Sequence, residues 1–387
     1  MRTLYPLISV VLANIILVSC GLTSTPATSP VLSSPTTFEN SPLSPAISPT
    51  SRATPTQTPV STPTPAPPLC DASFLPLGFW PDSDHFLGQL ISYYQPPVSQ
   101  LLVLDLAEHQ TRKILEVPPG PVTQMVWAFL TPKWSIVAIP LANNSIQLFD
   151  LDDNRVIATL TGHQDVVTSV VFSPTDQRIY SGSMDKSVRV WDLSGRQLFT
   201  FQPDGADNLP SEIAGLGISS DGTQLITIPI EGWIKAWSTG NAHKLREYQG
   251  PIFGGYNGAR AVFSPDGRYL AVGLAAGTGD VSLWRVADGE LLWQGGSMAF
   301  AFSPDGQLMG RTEIGTGDEY SEQVVISSPD GQNNVRSFAQ PYQNPLAAMF
   351  FSPDSLKLAV TLANSETQFW RLAEAQLDFT YQPSCLK

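Results

Sequence analysis

Along most of the chain, short apolar runs lead into turn residues at regular intervals. Val170-Val171-Phe172 and Ala261-Val262-Phe263 are two such runs. Each is followed by a hinge whose full form is Phe-Ser-Pro-Asp-Gly, whole at Phe263–Gly267 and Phe302–Gly306 and nearly whole at Phe351–Ser355. Proline fixes φ near −65° at a turn position, and Asp-Gly supplies a tight reversal. The run before each hinge is therefore predicted to be a buried inner strand that stops at Phe, with the next strand a few residues on. Weaker forms start at Phe79, Leu130, Phe172 and Ile218.

The seven hinge starts, at 79, 130, 172, 218, 263, 302 and 351, are spaced 39 to 51 residues apart. A second mark is the apolar end of each unit's third segment: Val103–Leu106, Phe149–Leu151, Trp191–Leu193, Trp237, Trp284–Val286, Val325–Ser327 and Trp370–Leu372. Both marks give seven units. A period of this size with four short strands per unit is the signature of a β-propeller, so the predicted fold is all-β, with seven blades of four antiparallel strands. Ser328-Pro329-Asp330-Gly331 imitates a hinge but falls out of phase; it is predicted to turn between the third and fourth strands of unit six. An inner strand near Ser73–Gly78 and an outermost strand at Gln376–Tyr381 give every unit all four of its own strands.

The clearest unit runs from Thr161-Gly162-His163 to Trp191-Asp192-Leu193. Its Gly-His, Phe-Ser-Pro turn, Ser-Gly-Ser and Trp-Asp resemble a WD repeat. The resemblance, over about 80% of the chain, implies that His163, Ser181, Asp185 and Trp191 form a structural hydrogen-bonded tetrad. The trio His163, Asp185 and Ser181 also has the residue types of a hydrolase triad. Other units hold Asn144, Glu231 or Asp280 near the corresponding turn and lack the histidine. The ring is thus expected to depend on apolar packing, with unit three the most regular.

The N-terminus has a different pattern. One charge, Arg2, precedes the mostly apolar stretch Leu4–Val18, and Leu17-Val18-Ser19-Cys20 closes it. This is the layout of a secretion signal, too short to span a bilayer comfortably. The last four residues resemble the lipobox of bacterial lipoproteins, which implies that Cys20 is the first mature residue and carries lipid. An ordinary secretory signal with an incidental cysteine, or an uncleaved anchor, fits the same layout. From Gly21 to Leu69, 12 residues are Pro and 20 are Ser or Thr, with only Glu39 and Arg52 charged. Such a segment lacks the apolar surface to offset its ordering entropy and is expected to be an extended tether. The expected organisation is a signal over 1–19, a lipid-anchored disordered linker over 20–69 and a propeller over 70–387.

The formal net charge of −13 argues against nucleic acid as a partner. Besides Cys20, the only cysteines are Cys70 and Cys385, which flank the repeats; in an exported protein a Cys70–Cys385 disulfide would close the ring, although two free thiols are also compatible. The four histidines are scattered, with no metal-ligand spacing, and no nucleophile elbow or phosphate-binding glycine loop is present. No metal and no cofactor are expected, and Glu313–Glu322 matches no EF-hand loop.

The remaining candidate is the face bearing the second-to-third-strand turns and the inter-blade loops. Trp233, Phe253, Tyr256, Asp318, Tyr320 and Tyr342 place rigid aromatics among acidic groups there, a composition suited to a protein partner. The same aromatics would also serve if packed on their own blades. The expected function is a non-enzymatic, monomeric propeller, held to a membrane through Cys20, that scaffolds proteins on the extracytoplasmic side of a bacterial envelope. The alternatives are an envelope hydrolase or lyase with its site at the channel mouth, and a module that binds glycan or cell-wall polymer.

Overall fold

A computed structural model describes residues 72–80, 82–92, 98–117, 129–130, 136–204, 210–248, 259–274, 281–295, 299–314, 322–340 and 346–383. Among these, 28 strands form seven four-stranded antiparallel sheets, each made of four consecutive strands. The blades begin at Ala72, Phe129, Val167, Ile213, Ala259, Phe300 and Leu346. In six of the seven neighbouring pairs of blades the first strands pack on one another and so ring a central axis. The fold is a seven-bladed β-propeller.

All seven first strands end on the hinge residue named from sequence: Phe79, Leu130, Phe172, Ile218, Phe263, Phe302 and Phe351. In blades four to seven the reason is a repeated hydrogen-bonded turn. Ser264 Oγ donates to Asp266 Oδ1 at 2.6 Å, and the Tyr269 amide donates back to Ser264 Oγ at 2.9 Å. Ser219–Asp221, Ser303–Asp305 and Ser352–Asp354 repeat the pair. The residue after Asp adopts a left-handed φ: 72° at Gly222, 71° at Gly267 and Gly306, and 61° at Ser355. Ser328–Asp330 makes the same turn between the third and fourth strands of blade six, Glu322–Ser327 and Asn334–Gln340, as its phase required.

Sequence reasoning did not foresee a second repeated feature. In every blade the pairing of third and fourth strands shifts register at one point, for example between Val190 and Trp191, between Ala236 and Trp237, and between Ile326 and Ser327. Leu198, Leu245 and Val335 are the extra residues on the outer strands. A bulge twists an edge strand and disrupts its ladder, which blunts the outer edges against pairing with other chains.

The core is divided among the blade junctions. Seven apolar clusters each draw from two neighbouring blades. The seam between blades seven and one is the most aromatic: Phe86 meets Phe79 and Phe369 edge-on, both at 5.1 Å. Phe74 meets Tyr381 at 5.2 Å. Polar contacts span the same seam, with Lys357 Nζ 2.9 Å from Asp84 Oδ1 and the Phe74 amide donating to Ser365 Oγ at 3.0 Å. Among the described residues, no strand is shared between the first and last blades.

Blades four and five approach so closely that glycine is required. A Cβ on Gly215 would lie 2.1 Å from the Ala259 carbonyl oxygen. Gly215→Ala is therefore expected to destabilise the protein by about 2 kcal/mol or more through backbone displacement. Gly267→Ala meets nothing within 4 Å and should cost only the left-handed strain, about 1 kcal/mol. Urea unfolding midpoints of the two variants check the order; equal losses would contradict it.

Candidate functional site

Antiparallel strand order sends the second-to-third-strand turns and the inter-blade loops to one face, and the Ser-Asp hinges to the other. On the first face, blade three joins its loop and turn by a chain of hydrogen bonds. His163, in the loop before the blade, lies with Nδ1 2.8 Å from Asp185 Oδ2 and Nε2 2.7 Å from Ser181 Oγ. Trp191 Nε1 donates to Ser181 Oγ at 2.8 Å. Asp185 Oδ2 also accepts from the Gln164 amide, and its Oδ1 accepts from the Ser187 amide and hydroxyl. A neutral ring protonated at Nδ1 satisfies both sides, donating to the carboxylate and accepting the Ser181 proton.

Burial pushes the Asp185 carboxyl up, but hydrogen bonds from His163, Ser187 and the Gln164 amide together hold it well below the usual carboxylate range. Ser181 has the residue type of a nucleophile but no access: its exposure is 0%. A substrate carbonyl cannot reach its Oγ, so the arrangement fastens a blade and does not cleave bonds.

The other blades keep fragments of this arrangement. In blade four, Trp237 Nε1 donates to Thr227 Oγ1 at 2.8 Å. In blade five, strand register puts Val272 in the place of Ser181, and the Nε1 of the buried Trp284 has no partner among the described residues. Blade six inverts the chemistry. Arg311 stands at the Ser181 position and Ser327 at the Trp191 position. Arg311, 3% exposed, binds Ser327 Oγ at 2.6 Å, Asn334 Oδ1 at 2.9 Å and Glu313 Oε1 at 2.5 Å, and its guanidinium lies 5.0 Å from the Trp293 ring centre. Glu313 is thereby engaged. Asn144 does not hold the Asp185 place: Asn143 does, accepting from the Ser145 amide and hydroxyl, while Asn144 supplies the left-handed turn residue as Lys186 does in blade three. Asn and Asp cap a turn through the residue two positions on, a shift that two adjacent asparagines conceal in sequence.

Trp233 sits in the second-to-third-strand turn of blade four and is 38% exposed. Phe253, Tyr256, Asp318, Tyr320 and Tyr342 lie outside the described residues, as do Cys20, Cys70 and Cys385. Beside the blade-three tetrad an open cleft of about 470 Å³ is lined by Gln164, Asp185, Ser187, Arg189, Thr200, Phe201 and Gln202. Arg189 Nη1 donates to Gln197 Oε1 at 2.5 Å. The only nucleophile type lining it at the tetrad, Ser187, has its hydroxyl turned onto Asp185. Among the described residues no group of three or more His, Cys, Asp or Glu side chains comes together as a metal site. Sequence reasoning missed Arg189, Arg260 and Arg311. For Arg260 a signal existed, a single charge inside an inner strand.

Comparison with known proteins agrees with this geometry. Residues 154–192, which hold the blade-three tetrad, match the WD domain, G-beta repeat family. A 164-residue stretch is 30% identical to zinc finger CCCH domain-containing protein 48 of Arabidopsis thaliana, covering 42% of this chain and 32% of that protein. A 210-residue stretch is 25% identical to apoptotic protease-activating factor 1 of Rattus norvegicus, covering 44% and 16%. A 118-residue stretch is 36% identical to coronin-7 of Bos taurus, covering 30% and 12%. The chain thus spans less than a third of the length of each of these relatives.

Replacing His163 by Ala removes one partner each from Ser181 and Asp185 and should cost about 1–3 kcal/mol; Trp191→Phe, which removes one donor, should cost about 1 kcal/mol. Chemical denaturation measures both, and a neutral His163→Ala would contradict the fastening role. Acid should weaken the fold. The folded-state pKa of Asp185 is lowered, as are those of Asp221, Asp266 and Asp354 at the hinges. At Asp221 the Ser219 hydroxyl is the largest influence; at Asp266 and Asp354 burial opposes, but the hydroxyl and amide donors outweigh it. A depressed carboxylate contributes stability that is full above its unfolded value, near pH 4, and is lost as pH falls through the folded value. Thermal unfolding scanned downward from pH 6 should show the midpoint falling mainly below about pH 4.

Proposed function

We propose that this chain is a lipid-anchored, extracytoplasmic propeller that holds protein partners at a bacterial envelope, using the face that carries Trp233. The observation that carries the reading is the contrast on that face: the triad-like Ser181 and His163 are buried inside a blade, while a large aromatic, Trp233, stands exposed on a turn. Exposed tryptophan on a fixed scaffold is the residue type that anchors protein interfaces. The match of residues 154–192 to a WD domain supports the same reading.

Placement rests on Leu17-Val18-Ser19-Cys20 and on the uncharged Pro/Ser/Thr stretch that follows. One acyl chain binds membranes marginally and two or more bind stably, so a lipid-modified Cys20 is a lasting anchor. A tether of 49 residues then gives a reach of up to about 150 Å at roughly 3.1 Å per residue. A Cys70–Cys385 bond would add a covalent clasp to the seam. Support comes from the Phe74–Tyr381 ring contact at 5.2 Å, because each of these residues is four positions from its cysteine.

Crosslinking and affinity capture from native membranes tests the face. Trp233→Ala is expected to lower recovery of the co-purifying protein without altering thermal stability; unchanged recovery would reject this face. Cys20→Ser should abolish incorporation of labelled palmitate and release the chain from the membrane fraction. A wild-type chain with an intact, unacylated N-terminus would refute the anchor. Non-reducing peptide mapping should recover Cys70 and Cys385 in one linked peptide pair, and two free thiols would end that assignment.

A further inference from the structure

Of the seven inner strands, only Ala259–Phe263 contains a charged residue, Arg260. Ala259, Ala261 and Phe263 face the cluster between blades four and five, so strand alternation turns Arg260 away from it. Its guanidinium carbon lies 5.1 Å from the centre of the Phe350 ring. Phe350 belongs to the inner strand of blade seven, Leu346–Phe351. Blade six stands between them, and inner strands that skip a blade can touch only across the central channel. Arg260 is exposed, so it meets channel water, yet the channel wall surrounds it. Its backbone, the second residue of the strand, is near the mouth on the face that carries Trp233, and its side chain reaches along the channel to Phe350, the fifth of the six residues of its own strand.

Among the described residues no carboxylate pairs with Arg260. By contrast Arg178, Arg196, Arg268, Arg285, Arg311 and Arg371 each hold one. Its enclosure pushes the guanidinium down to about 10, with no nearby charge opposing the shift. Low-dielectric channel walls focus the field of this hydrated cation and strengthen its attraction for an anion. The Phe350 ring lies 5.1 Å from the guanidinium carbon, and a guanidinium is the group suited to a two-point bond to a planar carboxylate. One guanidinium in a chain of net charge −13 balances a single negative charge; a phosphate dianion would leave one over.

We propose that Arg260 is a recognition site for a carboxylate that a protein partner inserts into the central channel. The proposal rests on the partner-binding reading of this face and names the chemistry it selects.

Phenylglyoxal labelling of the full-length chain, followed by peptide mass mapping, reads each arginine separately. A blocked Gly-Glu-Gly peptide should slow labelling of Arg260 several-fold and leave Arg196 unchanged, while Gly-Gln-Gly should have no effect. Phe350→Leu should weaken the protection. Absence of protection, equal protection by both peptides, or protection by inorganic phosphate without protection by Gly-Glu-Gly would each overturn the proposal. In native-membrane capture, Arg260→Gln should lower partner recovery with no change in thermal midpoint. Arg260 protection combined with capture that ignores Trp233→Ala would remove Trp233 from the reading of the face but leave the carboxylate site standing.

Discussion

Packing between neighbouring blades is the interaction on which the rest of this protein depends. A four-stranded sheet of this size has two apolar faces and no partner of its own. Each face is buried against the next blade, and all seven apolar clusters straddle a junction. Such a set of sheets has no stable end; it must close. Among the described residues closure shares no strand between the first and last blades, so side-chain packing and a few polar contacts hold that seam in place of a strand ladder. That accounts for its concentration of phenylalanine, whose edge-to-face contacts add to the area they bury, and for the ion pair between Lys357 and Asp84 that spans it.

Polar groups decide the details. At the hinges, Ser and Asp side chains occupy the amides that a strand end would leave unpaired, so each inner strand stops at one residue. On the opposite face, the blade-three tetrad ties an inter-blade loop to a turn and to an indole. The other blades show how far that network can be reduced. Blade four retains the indole–hydroxyl bond, blade five leaves a buried indole without a described partner, and blade six replaces both ends with an arginine cluster. These exchanges are tolerated because apolar junctions hold each blade on both sides. The bulge repeated on every outer strand protects the perimeter.

The candidate binding surface combines rigidity with a local reversal of charge. The chain is acidic overall, yet its channel carries an arginine with no described counter-ion beside an apolar wall. An acidic surface discourages non-specific association with nucleic acid, while a single enclosed cation favours a partner that presents one carboxylate in the right place. Specificity would then come from position more than from total charge.

How much of this was legible in the sequence follows from the range of the forces involved. Hinges are local: Ser, Pro, Asp and Gly within five residues fix a turn by themselves, so the seven inner-strand ends, the blade count and the in-phase turn at Ser328–Gly331 could be located from the chain alone. The tetrad members were visible as residue types at recurrent spacing. The shift from Asn144 to Asn143 was not, because the choice depends on which amide a side chain caps. Bulges were hidden because register is settled by the pairing of two strands. The exchange of roles in blade six was hidden because Arg311 is an ordinary arginine until strand register puts it opposite Ser327. Arg260 was a lone charge in an apolar strand, but its meaning came from Phe350, 90 residues away and across an axis that exists only when the ring is closed. Sequence determined the repeating unit, because turns and alternation act within a few residues; tertiary structure decided which side chains share a channel, because only closure brings distant blades together.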